Sequence, residues 1–176
     1  MNDQTPVEAA PRFAIFRARD AANPTGEGSM ASELTPVEIE GSKRAVEAGI
    51  LEGSTLRVLF EAPGFSLTYA WFKSGYPLPR HSHDADCVYY IVGGSLKVGT
   101  EELGRGDGFF VGRDVPYTYV PGDEGVEVLE FRTTDSYGIK LFANNPAFWA
   151  KAVETLGDRK QAWAGEAAPP TGTPLS

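Results

Sequence analysis

Between Leu56 and Arg132 the chain is a succession of short β-prone runs, each closed by a turn signal, and this cadence limits its possible folds more than any other feature. Leu56 to Glu61 is the first run. Phe65 to Phe72 is the second, with Phe65, Leu67, Tyr69 and Trp71 alternating with Ser66, Thr68 and Ala70, the two-residue period of a strand with two distinct faces. Cys87 to Val92 and Ser95 to Val98 read as a pair around Gly93-Gly94, and Gly108 to Val111, Tyr117 to Val120 and Val126 to Arg132 follow. So many short strands in one stretch predict an all-β sandwich or barrel.

The flanks read differently. Residues 1–11 and 164–176 (AGEAAPPTGTPLS in the latter) predict loose tails, and Pro24 to Pro36 an irregular surface segment. A first extension, 12–55, carries one short helix, Ser42 to Ala48, with Ser42 as N-cap and Gly49 as stop. The core spans 56–133. A second extension, 134–163, carries a helix over 146–156, opened by Asn145 and Pro146, burying Trp149, Val153 and Leu156 and ending at Gly157.

At 176 residues the chain suffices for one domain with a buried core. A formal net charge of -8, with no run of Lys and Arg, argues against nucleic-acid binding. Cys87 is the single cysteine, so no intrachain disulfide forms. No apolar run approaches the roughly 20 residues that span a bilayer, and the N-terminus lacks a secretory pattern, so the expected location is the cytoplasm, with no membrane partner.

The chemistry concentrates in GYPLPRHSHDADCVYYIVGG, residues 75–94. His81 and His83 are the only histidines, and two residues apart on a strand they face one side, where imidazoles suit iron, zinc, nickel or copper. Gly75, five residues, His81-x-His83, three residues, Cys87, six residues and Gly94 resembles the first motif of the cupin superfamily, in which a Glu stands at the position of Cys87. In the second motif Gly106 matches, whereas Gly112, Asp114, Tyr117 and Pro121 stand where the family has Pro, Gly, His and Asn. The resemblance implies a cupin double-stranded β-barrel, jelly-roll-like with short flanking helices, covering about residues 56–133. It also implies a homodimer, for which Phe13 to Arg17 could supply an exchanged edge strand.

Three readings of the site follow from the resemblance. In the leading one, His81, His83 and Cys87 or Tyr117 hold iron, zinc or nickel, and a metal-dependent enzyme of the oxygenase or isomerase/lyase type acts on a small organic molecule. Thiol dioxygenases, which are cupins with a Cys at this position, add the possibility of a crosslink from Cys87 to a Tyr. In the second reading the pocket is metal-free and His and Tyr exchange protons, with Tyr89, Tyr117 and Tyr119 as the inward-facing tyrosines. In the third, the fold only encloses a ligand. Arg80 and Arg113 are candidates to hold a carboxylate at its mouth.

Overall fold

A computed structural model of the chain describes residues 10–22 and 33–172. Two helices flank eight strands: α1 (Pro36–Glu47), β1 (Ser54–Ala62), β2 (Phe65–Phe72), β3 (His81–His83), β4 (Cys87–Val98), β5 (Glu101–Gly104), β6 (Gly108–Val111), β7 (Val120–Arg132), β8 (Ile139–Leu141) and α2 (Pro146–Gly165). The larger sheet runs β1-β2-β7-β4-β5, with β6 also on β4, and the smaller pairs β3 with β8. All pairings are antiparallel. The all-β expectation holds, as a two-sheet jelly-roll-like sandwich, not a barrel closed by hydrogen bonds. An isolated bridge between His81 and Tyr117 continues the smaller sheet.

The register of the large sheet fixes where the interior is polar. Thr68 lies opposite Glu130, and Ser66 opposite Arg132; on the other side of β7, Tyr89 faces Glu130 and Cys87 faces Arg132. These side chains share one face with Ala70, Phe72, Ile91, Val126 and Val128, because residues two apart on a strand point the same way. One end of the inner face is therefore apolar core, and the other is a band of Ser, Thr, Cys, Tyr, Glu and Arg.

Several element boundaries differ from the sequence expectation. Helix α1 begins at Pro36, well before Ser42, because Thr35 and Glu38 form a reciprocal capping box with Pro36 at the first helical position. Gly41 within it is where the helix meets Trp149: a Cβ there would sit 2.1 Å from the indole Cγ. Helix α2 starts at Asn145 as expected but passes through Gly157, whose surroundings are open, and continues to Gly165, burying Trp163 along with Trp149 and Leu156.

The third difference is at Gly93-Gly94, which is not a turn. Strand β4 runs straight through it with register shifts on either side. Gly94 adopts φ 70°, and a Cβ there would lie 2.1 Å from the Gly125 carbonyl oxygen, so the pair lets β7 approach closely. Likewise Tyr117 to Val120 is not a separate strand: β7 takes up Val120, and Tyr117 only bridges to His81.

The C-terminal segment, expected to be loose from residue 164, is docked as far as residue 172. Glu166 accepts hydrogen bonds from the Ser74 amide at 3.0 Å and hydroxyl at 2.5 Å, and Thr171 donates to Glu127 through its amide at 2.7 Å and hydroxyl at 3.0 Å. At the other end, Phe13 to Arg17 forms no strand within the single chain, although Phe16 touches Phe60. The segment Pro24 to Pro36 lies outside the described residues except for its last four positions, 33–36. Among the described residues no helix is long and apolar enough to cross a membrane.

Candidate functional site

Strand β3 carries His81, Ser82 and His83, all buried, along the edge of a cavity of about 200 Å³ between the two sheets. This lies just below the ~300–1,000 Å³ usual for small-molecule sites. Its apolar walls include Leu56, Phe72, Tyr76, Leu78, Ile139 and Leu141, and its polar lining includes His81, His83, Thr68, Tyr137, Glu130 and Arg132.

Both imidazoles are locked by backbone carbonyls. His81 Nδ1 meets the Pro79 oxygen at 2.8 Å and His83 Nδ1 the Gly138 oxygen at 2.8 Å. A carbonyl only accepts, so each Nδ1 carries the proton and each Nε2 of the neutral ring presents a lone pair. Gly138 is fixed in turn by its amide, which donates to Asp84 Oδ1 at 2.7 Å. Burial lowers the pKa of His81, although the Pro79 bond opposes it. Burial, reinforced by the positive charge of Arg132, brings His83 down to about 4. Both rings are thus neutral acceptors near pH 7.

Behind His81 lies a directed chain of hydroxyls. Tyr117 donates to His81 Nε2 at 2.9 Å, and Tyr89 hydrogen-bonds to the Tyr117 hydroxyl. Because Tyr117 spends its proton on His81, Tyr89 is the donor in that second contact. Burial raises the pKa of both phenols, which stay protonated.

The sequence-predicted residues divide sharply. The structure brings His81, His83, Tyr117 and Tyr89 together, but neither Tyr89 nor Tyr117 lines the cavity. Tyr119 is core, set against Phe72 and Phe109. Arg80 and Arg113 are exposed and do not line the cavity. Cys87 is buried beside Tyr89 and Val111, and burial pushes its thiol up to about 12.

Sequence reasoning missed Glu130 and Arg132. Arg132 is 2% exposed, donates to Glu130 Oε2 at 2.6 Å and stacks on Tyr137 with its Cζ 4.0 Å from the ring centre. Burial alone would lower the Arg132 pKa, but Glu130 together with Tyr89, Cys87 and Tyr137 more than offsets this and raises it. The signal lay in Val126, Val128, Glu130 and Arg132: an apolar alternating face that continues as two charged residues.

The donor set does not fit a resident transition metal. Among the described residues no three His, Cys, Asp or Glu side chains cluster so as to hold one. The remaining sequence candidates are a phenol already hydrogen-bonded to His81 and a thiol outside the cavity lining, while a guanidinium cation lies in the cavity wall.

The second cupin motif survives in shape where its residue is lost. Asp114, at the motif's second Gly, has φ 60° and is the only non-glycine described with positive φ, a conformation Asp tolerates better than most residues. Its amide donates to the His83 carbonyl at 2.7 Å, so the turn still holds β3.

No family model matches the chain, and no curated protein does. Solved structures with a related arrangement include the polyketide cyclase RemF from Streptomyces resistomycificus, at 22% identity and TM-score 0.49 over 59% of this chain and 83% of that one. An RmlC-like cupin from Shewanella frigidimarina aligns at 24% identity and TM-score 0.43 over 47% and 78% of the two chains. KdgF from Halomonas sp. aligns at 18% identity and TM-score 0.44 over 47% and 81%. The fold is of the cupin type. The chain's own two antiparallel sheets carry the Gly75 to Gly94 motif across β3 and β4, and a fold by itself fixes no activity.

Proposed function

We propose that this chain is a metal-independent cupin-type protein that encloses a small, largely apolar organic molecule and moves a proton on it, as isomerases and lyases do. The observation that carries the reading is the pair of backbone locks on His81 and His83, which set both rings as acceptors at the edge of an apolar cavity. His83 is the working base. No described residue hydrogen-bonds its Nε2, whereas Nε2 of His81 is occupied by Tyr117. A proton leaving the ligand passes to His83 Nε2, the imidazolium keeps its Nδ1–H bond to Gly138 while its Nε2 proton exchanges with solvent, and a proton from Nε2 is delivered to a second atom of the ligand as its electron pair shifts there. His81, braced by Tyr117 and Tyr89, is a positioning residue that fixes the wall beside it.

The test is exchange. Incubated in D2O with small keto and hydroxy acids and their neutral analogues, the protein should place deuterium on a carbon of at least one bound compound, seen by NMR. His83→Gln should abolish that exchange while ligand-induced thermal shifts persist. A compound that binds and is always returned unlabelled would leave a binding module in place of an enzyme.

A further inference from the structure

Among the described residues Arg132 is a buried cation with two unpartnered donors. It ends β7 on the inner face, is 2% exposed and lines the same cavity as His81 and His83. Glu130 meets the guanidinium at Nη2 only, and Tyr137 covers one flat face. Nε and Nη1 have no hydrogen-bond partner, although both are shielded from solvent. Buried donors are nearly always satisfied, so two orphans on one guanidinium beside a cavity indicate a missing acceptor.

We propose that the cavity binds a small monocarboxylate, with Arg132 as the anchor of its carboxylate group. The inference rests on reading the cavity as a small-molecule site, and it specifies the substrate class. A guanidinium offers five N–H donors in a planar fork, and Glu130 engages Nη2 alone, so donors on Nε and Nη1 remain for a second planar, two-oxygen acceptor. A carboxylate has that geometry. A phosphate or sulfate fits worse: among the residues lining the cavity Arg132 is the only Lys or Arg, and a doubly charged anion beside Glu130 would face that single cation. Leu56, Phe72, Leu78 and Leu141 then dictate that the rest of the molecule be apolar or aromatic. The overall charge of -8 does not attract anions, so binding depends on this buried contact.

Titration calorimetry with benzoate, phenylacetate, hydrocinnamate and hexanoate, each paired with its primary amide, tests the assignment. At least one carboxylate should bind saturably and at least tenfold more tightly than its amide. Arg132→Gln should remove that preference, and Arg132→Lys should retain part of it. Should Arg132→Gln fail to fold, Glu130→Gln decides: it keeps an acceptor for Nη2 but removes a competing negative charge, so carboxylate affinity should rise severalfold. Amides binding as well as acids, no carboxylate binding at all, or weaker carboxylate binding in a folded Glu130→Gln would each overturn the inference. Failure of proton transfer is separate: loss of exchange with carboxylate binding intact would overturn the enzymatic reading and leave this one standing.

Discussion

His81 and Tyr117 are tied together at both backbone and side chain. Each amide donates to the other's carbonyl at 2.9 Å, and the Tyr117 hydroxyl donates to His81 Nε2 at the same distance. The bridge fixes the two backbones, so the hydroxyl bond can be removed without separating them. Tyr117→Phe should keep the fold but orphan the Tyr89 hydroxyl, which sits on a residue 1% exposed. A cost of about 1–3 kcal/mol in chemical denaturation follows. Tyr89→Phe should cost less, since Tyr117 still has His81 to donate to, and the double variant should be no less stable than Tyr117→Phe alone. Additive losses would show that the chain of hydroxyls is not coupled.

The histidines contribute to the pH dependence of stability. The pKa of folded His83, about 4, lies below its ordinary value of 6.5, so between those values the unfolded state binds the proton and the folded state does not. Stability is then fully present above about pH 6.5 and falls as the pH drops towards 4, by up to about 3 kcal/mol. Lowering of the His81 pKa acts in the same direction. His83→Gln should flatten much of the acid limb in urea titrations from pH 4 to 7. An unchanged limb would mean that His83 is solvated. A carboxylate placed on Arg132 would offset the charge that depresses His83, so its imidazole resonances should titrate at higher pH when such a ligand is bound.

The strand cadence made the all-β fold legible, and the spacing of His81, His83 and Cys87 located β3 and β4. Sequence could not supply the partner strand. Whether an inward residue on β4 reaches the cavity depends on what β7 sets beside it, and β7 sets Glu130 beside Tyr89 and Arg132 beside Cys87. Arg80 and Arg113 attracted notice because they flank the motif, whereas Arg132, far along the chain, is brought in by register alone. Gly41 and Gly157 show the same limit on helices. A glycine that admits a tryptophan and one that faces open space look alike in sequence.

Metal content offers a direct check on the donor set. Two neutral imidazoles, one already bonded to a phenol, give too few ligands for tight binding, and Arg132 adds repulsion. Purified after growth with iron, zinc or nickel, the protein should carry well under one equivalent by elemental analysis, and His81→Ala should not change the amount. One full equivalent, lost in that variant, would mean that the side chains rearrange around a metal.

Cys87 should behave as an inert core residue. Its thiol, 1% exposed and pushed up to about 12, has almost no thiolate at neutral pH. Iodoacetamide should leave the folded protein unmodified and alkylate it fully in denaturant, with an intact mass showing no loss of two hydrogens. Rapid alkylation of the native state, or a mass two hydrogens short, would indicate a reactive or tyrosine-linked sulfur.

Glu127 is the buried group on which the docked C-terminal segment depends. It is 2% exposed and accepts from the Tyr69 hydroxyl at 2.7 Å, the Thr171 amide at 2.7 Å and the Thr171 hydroxyl at 3.0 Å. Replacing one carboxylate oxygen by an amide nitrogen sets donor against donor, so Glu127→Gln should cost about 1.5–3 kcal/mol, the range for hydrogen bonds to a charged group. With the chain cut after Gly165, the two Thr171 donors are gone and water can reach the carboxylate. In that background Glu127→Gln should cost much less, and the difference measures how far the segment is held through this one side chain. Equal costs in both backgrounds would place the docking energy elsewhere, in the Ser74 to Glu166 bonds or the packing of Pro170 against Gly93.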